Sequence, residues 1–287
     1  MPSIAFPTTI ETIVTQIDEI SSFPDIALRV MRVVSRNDAS IADLRAVVEQ
    51  DPQLVARVLR TVNSAAYGLR CRVDSIHRAI ALLGFTTIKN LALTASVSPV
   101  FQDTTPIGSY NRGLLWKHLV SVAVISRMVA ARSGLKHFEE AYMCGLLHDL
   151  GIILLDQHHH EVFVSVLHRL NPQAGTCEIE REILGFTHAQ LGAAVAERWG
   201  FPESIVDVIR YHHDSRRCQP EYRSIGHAVE IANYLCTRRG LPSLGVQNIS
   251  IPHRDAFSAL SLGREGMRVL VEDLEKELHK SQDLFRI

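Results

Sequence analysis

The stretch AYMCGLLHDLGIILL, residues 141–155, decides how the rest of the chain is read. It is apolar almost throughout, yet it places an imidazole and a carboxylate side by side at His148 and Asp149. Burying such groups without partners is costly, so a run of this kind needs other polar groups brought to it. Neighbours on a helix project about 100° apart. The pair can therefore face two metals, or one metal and its water.

Helical periodicity continues on both sides of this stretch. Upstream, Thr8 to Ile20 forms an amphipathic segment, and a second follows Phe23-Pro24. Ser40 to Asp43 resembles a capping box, and Asp51-Pro52 gives an N-cap followed by proline in the first turn. Gly68 ends that helix, Ser75 opens another that Gly84 closes, and Thr86 or Thr87 is positioned to cap the next. Residues Phe101 to Ser109, with Pro106 and Gly108, interrupt the pattern and suggest a lobe boundary. Downstream, helices are expected from Leu114 to Ala131, from Glu139 to Leu155, from near Asp156, from Thr187 to Trp199, from Pro202 to His212-His213 and from Ser224 to Thr237. Gly240 to Arg254 reads as loop, and the chain is helical again from about Asp255. The expected fold is all-α and two-lobed, with a short-helix N-terminal lobe over residues 1–108, a second helical lobe over 109–240 and a helical extension over 241–287.

Composition narrows the function classes. The chain has 287 residues, 46% of them hydrophobic and 21% charged, which suits a globular protein with a sizeable core. A formal net charge of −1 disfavours a nucleic-acid partner. No signal-like start and no run of about 18 apolar residues are found, so a cytoplasmic location without a membrane partner is expected. Cys71, Cys144, Cys177, Cys218 and Cys236 are scattered without a CxxC pair and read as reduced thiols.

The chemistry-bearing residues are His118, His148, Asp149, His188, His212 and His213. Each falls on a helix or at its end, and the intervals of 30, 40 and 24 residues from 118 to 148, 188 and 212 suit successive antiparallel helices and their connections. Imidazole nitrogen and carboxylate oxygen together suit one divalent transition metal such as Fe, Zn, Mn or Ni. Gly192, four residues after His188, would let another backbone approach on the same helical face. Other signals are read as structural. His158-His159-His160 fans around a helix start, Trp116 and Trp199 anchor the core, Cys144 is a small core residue, Arg210, Arg216 and Arg217 are solvated, and Asn63-Ser64 braces a turn.

At these residues the chain resembles a known superfamily. AYMCGLLHDLG (141–151), with His118 upstream and His188 and His212-His213 downstream, is similar to the HD-type metal-dependent phosphohydrolase core. QDPQLVARVLRTVNSAAYG (50–68) followed by SIHRAIALLGF (75–85) is similar to the leading part of HDOD domains, an HD-related output module of bacterial signalling proteins. The likeness runs from about Ile17 to Tyr234 and makes the lobe over 109–240 HD-like.

The resemblance also exposes departures. Cyclic-dinucleotide-cleaving relatives imply a glutamate where this chain has Leu114, a lysine where it has Ile152 and a Gly-Tyr-Pro segment absent from HHDSRRCQPEY (212–222). The closing aspartate of the HD core is replaced by Asn233, whose neutral amide is a weaker ligand and no base. Asp149 is then the one confident carboxylate, enough for one metal but sparse for two. The expectation is a regulatory module that binds a protein partner of a signalling pathway or a small nucleotide-like ligand. No catalytic residue is assigned and no organic cofactor is expected. The alternative is a metal-dependent phosphohydrolase acting on a nucleotide or cyclic dinucleotide.

Overall fold

The computed structural model describes residues 9–20, 23–34, 36, 38–64, 67–171, 175–247 and 249–286. Thr8, read as the start of the first helix, and Ala65-Ala66 of the NSAAYG segment lie outside the described residues. Among those described the chain is all-α, and the β-structure found there is an isolated bridge between Ile107 and Tyr110. The chain forms two compact units, one of Met1–Ser22 with Asp103–Val271, the other of Phe23–Gln102 with Glu272–Ile287. Helix α1 (Ile10–Ile20), first in sequence, belongs to the former.

The unit of Phe23–Gln102 is built around one helix. Helices α2 (Asp25–Val34), α3 (Ile41–Val48), α4 (Pro52–Val62) and α5 (Ile76–Leu83) all pack on α6 (Phe85–Val97). Because the later turns of α6 are enclosed, its Thr94 and Ser96 side chains are buried, and they return their hydrogen bonds to the helix itself. Thr94 donates to the Asn90 carbonyl at 2.8 Å and Ser96 to that of Leu93 at 2.8 Å. The expected caps form at Ser40 with Asp43, at Asp51 and at Ser75. The expected threonine cap does not. Gly84, at φ 83°, leads directly into Phe85, which leaves Thr86 and Thr87 inside the first turn.

Asn63 performs the bracing expected of it. Its Oδ1 accepts from Val73 N at 2.7 Å, while its Nδ2 donates to the carbonyls of Val73 at 2.8 Å and Leu59 at 2.7 Å. One amide thus ties the chain ten residues on to the end of α4.

The other unit carries α7 (Arg112–Arg132), α8 (Phe138–Leu147), α9 (Leu150–His158), α10 (His160–Arg169), α11 (Thr176–Leu184), α12 (His188–Arg198), α13 (Glu203–Tyr211), α14 (Arg223–Arg238) and α15 (Arg254–Ala259); α16 (Arg264–Lys280) follows. Helix α7 pairs with α8 and α14. By length and composition alone it could cross a membrane, but 72% of its apolar window is buried within the fold, as suits a core helix. Trp116, Trp199 and Cys144 are buried in this core.

Helix α4 ends at Val62, short of the Gly68 expected to close it, and two features of the other unit differ from the sequence reading as well. The helix expected over 139–155 breaks at the His-Asp pair: α8 stops at Leu147, Asp149 adopts φ −99° and ψ 23°, and α9 restarts at Leu150. The second is α11, which the periodicity argument left unassigned because its buried side rests on little more than Ile179.

Candidate metal centre

Four helix ends and one long helix deliver the site. His118 comes from the middle of α7, His148 and Asp149 from the α8–α9 break, His188 from the first turn of α12, and His212-His213 from the end of α13. What lets α9 meet α12 is a pair of glycines. A Cβ built on Gly151 would lie 1.9 Å from the His188 carbonyl oxygen, and one on Gly192 would lie 2.8 Å from Gly151 N. Backbone therefore rests on backbone, and Asp149 is carried to within reach of His188. The close approach expected at Gly192 is present.

All six expected residues converge. Asp149 Oδ2 lies 3.2 Å from His148 Nε2 and 3.5 Å from His118 Nε2, while its Oδ1 lies 3.2 Å from His188 Nε2 and 3.3 Å from His212 Nε2. His213 joins through its Nε2, 3.0 Å from that of His188. Two ligand sets result, His118–His148–Asp149 and Asp149–His188–His212–His213, which share the aspartate. All but His213 are buried.

The outer nitrogens show which way the inner lone pairs point. The Nδ1–H of His118 donates to the Leu241 carbonyl at 2.5 Å, that of His148 to Gly145 at 2.8 Å and that of His212 to Ile209 at 2.8 Å. Each Nε2 is then an acceptor aimed at other acceptors. His118 Nε2 and His148 Nε2 are 3.3 Å apart. Asp149 Oδ1 and His212 Nε2 are buried without a hydrogen-bond partner. Protonation does not relieve this crowding at neutral pH, because burial, with the neighbouring imidazoles, pushes His118 and His212 down to about 4. Burial alone would raise Asp149, but His148, His188 and His212 outweigh it and hold the carboxyl well below its usual range. Converging lone pairs around a carboxylate, with outer nitrogens fixed by carbonyls, are the donor set of a divalent cation.

His188 is treated differently. Its Nδ1 lies 2.8 Å from both oxygens of Glu180, and Glu180 Oε2 also accepts from His188 N at 3.0 Å. Burial opposes its charge, yet Glu180 and Asp149 together hold its pKa well above the ordinary histidine value. The sequence reading missed Glu180, a buried acid on the unassigned α11. It sits on the outer side of His188 and orients that ring. Cys177, also on α11, forms with Glu180 and the same ring a further group of potential ligands.

The departures are visible as well. Leu114 is 40% exposed, Ile152 is core, and Asn233 is buried with its Oδ1 accepting from Thr237 at 3.3 Å. Among the residues read as structural, Arg210 pairs with Glu197, Arg216 with Asp214, and Arg217 lies over the Tyr211 ring. His159 and His160 stand at the α9–α10 junction, away from the cluster's ligand sets. A cavity of about 190 Å³ opens beside His212 and His213, between α11 and α14, with Arg181, Glu230 and Asn233 on its walls.

An all-helical fold that gathers histidines around a His-Asp pair defines an HD-type protein. Residues 20–215 match the HDOD domain, and the chain belongs to that family. It is similar over 97% of its length to all of an HDOD domain protein of unknown function from Geobacter sulfurreducens, at 25% identity and a TM-score of 0.79. It is also similar, at 26% identity and a TM-score of 0.74, to a candidate signal transduction protein from Marinobacter aquaeolei VT8, with 98% of this chain and 60% of that one covered. An uncharacterized protein of Treponema pallidum shares 28% identity over 77% of this chain and 43% of its own. The chain thus spans less than half the length of that curated relative.

Proposed function

We propose that this protein is a metal-holding HDOD module of bacterial signal transduction, whose centre serves recognition of a small nucleotide-like ligand or a protein partner in the cytoplasm rather than phosphodiester turnover. The observation that carries the metal is the set of buried Nε2 lone pairs turned toward Asp149. Asp149, His188, His212 and His213 would hold one Fe, Zn, Mn or Ni ion, and His118 and His148 offer a second, three-donor position through the shared aspartate. A bound divalent ion would supply a Lewis-acidic position for a phosphate oxygen. What argues against turnover is charge: Asp149 is the single carboxylate shared by both ligand sets, and the closing position is the amide of Asn233.

The shared aspartate also favours a second reading, a two-metal phosphohydrolase, because a carboxylate between two ligand sets is the arrangement such chemistry uses. Metal analysis of the purified chain with turnover assays on nucleotides, cyclic dinucleotides and RNA separates the two. The expected result is about one metal per chain, lost in Asp149→Ala, without turnover. Two metals and robust hydrolysis abolished in Asp149→Ala would replace the first reading with the second. Protein isolated and reconstituted without any bound metal would defeat both.

A further inference from the structure

The cavity beside His212 and His213 has walls of opposite character. Arg181 on α11 is exposed and makes no ion pair among the described residues. Glu178, one turn before it, also lines the cavity, but its Oε2 is engaged by Gly175 N at 3.3 Å. On α14, Glu230 and Asn233 stand three residues apart and line the same space. Glu230 is a built feature. Its Oε2 accepts from Ser215 N at 3.1 Å and from the Ser215 hydroxyl, and that hydroxyl in turn accepts from His227 Nδ1 at 2.5 Å. Ser215 and His227 are both buried. A buried relay thus fixes one oxygen of the carboxylate and leaves Oε1, on a residue that lines the cavity, without a hydrogen-bond partner among the described residues. Glu230 belongs to neither ligand set around Asp149, so the metal centre does not account for its placement.

We infer that Glu230 is a specificity-determining residue that reads an amino group on a small phosphorylated ligand whose anionic end lies toward Arg181 and the histidine centre. The inference rests on the reading of that centre as a metal site and names the ligand class it serves. A carboxylate oxygen accepts only from N–H or O–H, and Asn233 beside it adds a neutral amide, so this wall selects a donor-bearing group while the arginine selects the anion. At about 190 Å³ the cavity falls below the usual range of roughly 300–1,000 Å³ for drug-sized ligands. That size suits a single phosphorylated unit, with the rest of a larger molecule left outside. An amine on such a ligand can be the exocyclic amine of a nucleoside monophosphate or the ammonium of an amino-sugar phosphate.

The test is calorimetric titration of the metal-analysed full chain with AMP, purine riboside 5′-monophosphate (which lacks the exocyclic amine), glucosamine 6-phosphate and inorganic phosphate. At least one amine-bearing ligand is expected to bind about ten-fold or more tighter than its amine-free counterpart, purine riboside monophosphate for AMP and glucose 6-phosphate, titrated alongside, for the amino sugar. Glu230→Gln should erase that preference while leaving metal content and phosphate binding unchanged, and Arg181→Ala should weaken all of them. Preference for AMP identifies the base amine, and preference for glucosamine 6-phosphate the ammonium. A metal-loaded wild type that treats amine-bearing and amine-free ligands alike, or a Glu230→Gln variant that retains the preference, would overturn the inference alone. Absence of metal from the wild type would instead overturn the reading of the centre.

Discussion

Glu180 shows how one side chain outside the ligand sets can decide the behaviour of one inside. With acid on both sides, at Glu180 and Asp149, the metal-free His188 is held as an imidazolium, its Nδ1 donating to Glu180 and its Nε2 ion-paired with Asp149 Oδ1 at 3.2 Å. A cation can take its Nε2 only by displacing that proton, so metal uptake and proton release are linked. The sign follows from the raised pKa. The charged ring stabilises the metal-free fold fully below the unfolded value of about 6.5, and that contribution is lost as pH rises through the higher folded value. Metal affinity should therefore climb with pH as long as the pH lies below the raised folded value, by up to about ten-fold per pH unit for one displaced proton, and level off once that value is passed. The gap in thermal midpoint between metal-loaded and chelated protein should widen in parallel. Glu180→Gln keeps the shape but removes the charge, and it should lower metal affinity about 10–100-fold and flatten the pH dependence. Competition titrations against a chelator across pH would show both effects, and an unchanged slope in the variant would remove Glu180 from the account.

At the level of elements, the α9–α12 contact is what makes an aspartate at a helix break available to a histidine in the next layer. The Gly151 and Gly192 backbones touch, and no side chain of any size can be inserted without parting the helices. Overpacking of a well-fitted core costs about 1–3 kcal/mol, and here the obstacle is a backbone carbonyl that cannot rotate aside. Gly151→Ala is expected to lower the urea midpoint by an amount equivalent to at least that range and to reduce bound metal, since the same shift moves Asp149 away from His188. A variant as stable and as metal-rich as the wild type would show that the helices tolerate separation. The break in the helix expected over 139–155 serves the same site. A continuous helix would carry His148 and Asp149 around its axis, whereas Asp149 at φ −99° turns both side chains to one centre.

For the whole molecule, what was legible in the sequence follows from how each residue announces itself. His148 and Asp149 stand out because they interrupt an apolar run, and His118 and His188 because each is a polar position on an otherwise core-facing helix. Glu180 does not stand out: among Glu178, Arg181 and Glu182 on a short helix it looks like one more solvated acid, and only the fold shows that it is the one turned inward. Glu230 was silent for the same reason, since its partner Ser215 lies in a turn whose shape no periodicity encodes. This distribution fixes where metal should be felt. Ligands arise from α7, the α8–α9 break, α12 and the end of α13, and the Leu241 carbonyl beyond α14 holds His118. The helices α2 to α6 supply none, and their order comes from their own caps, the enclosed α6 and the Asn63 brace. A cation that binds only the intact centre suppresses every opening that breaks it, by RT ln(1 + [metal]/Kd). Chelation should therefore speed amide exchange in α7, α9, α12 and α13 by an order of magnitude or more, and leave α2, α4, α5 and α6 within error of the metal-loaded protein. Equal acceleration in both groups of helices would mean that the ion stabilises the chain as one cooperative unit, and no acceleration in α12 or α13 would mean that the four-donor set is not where it binds.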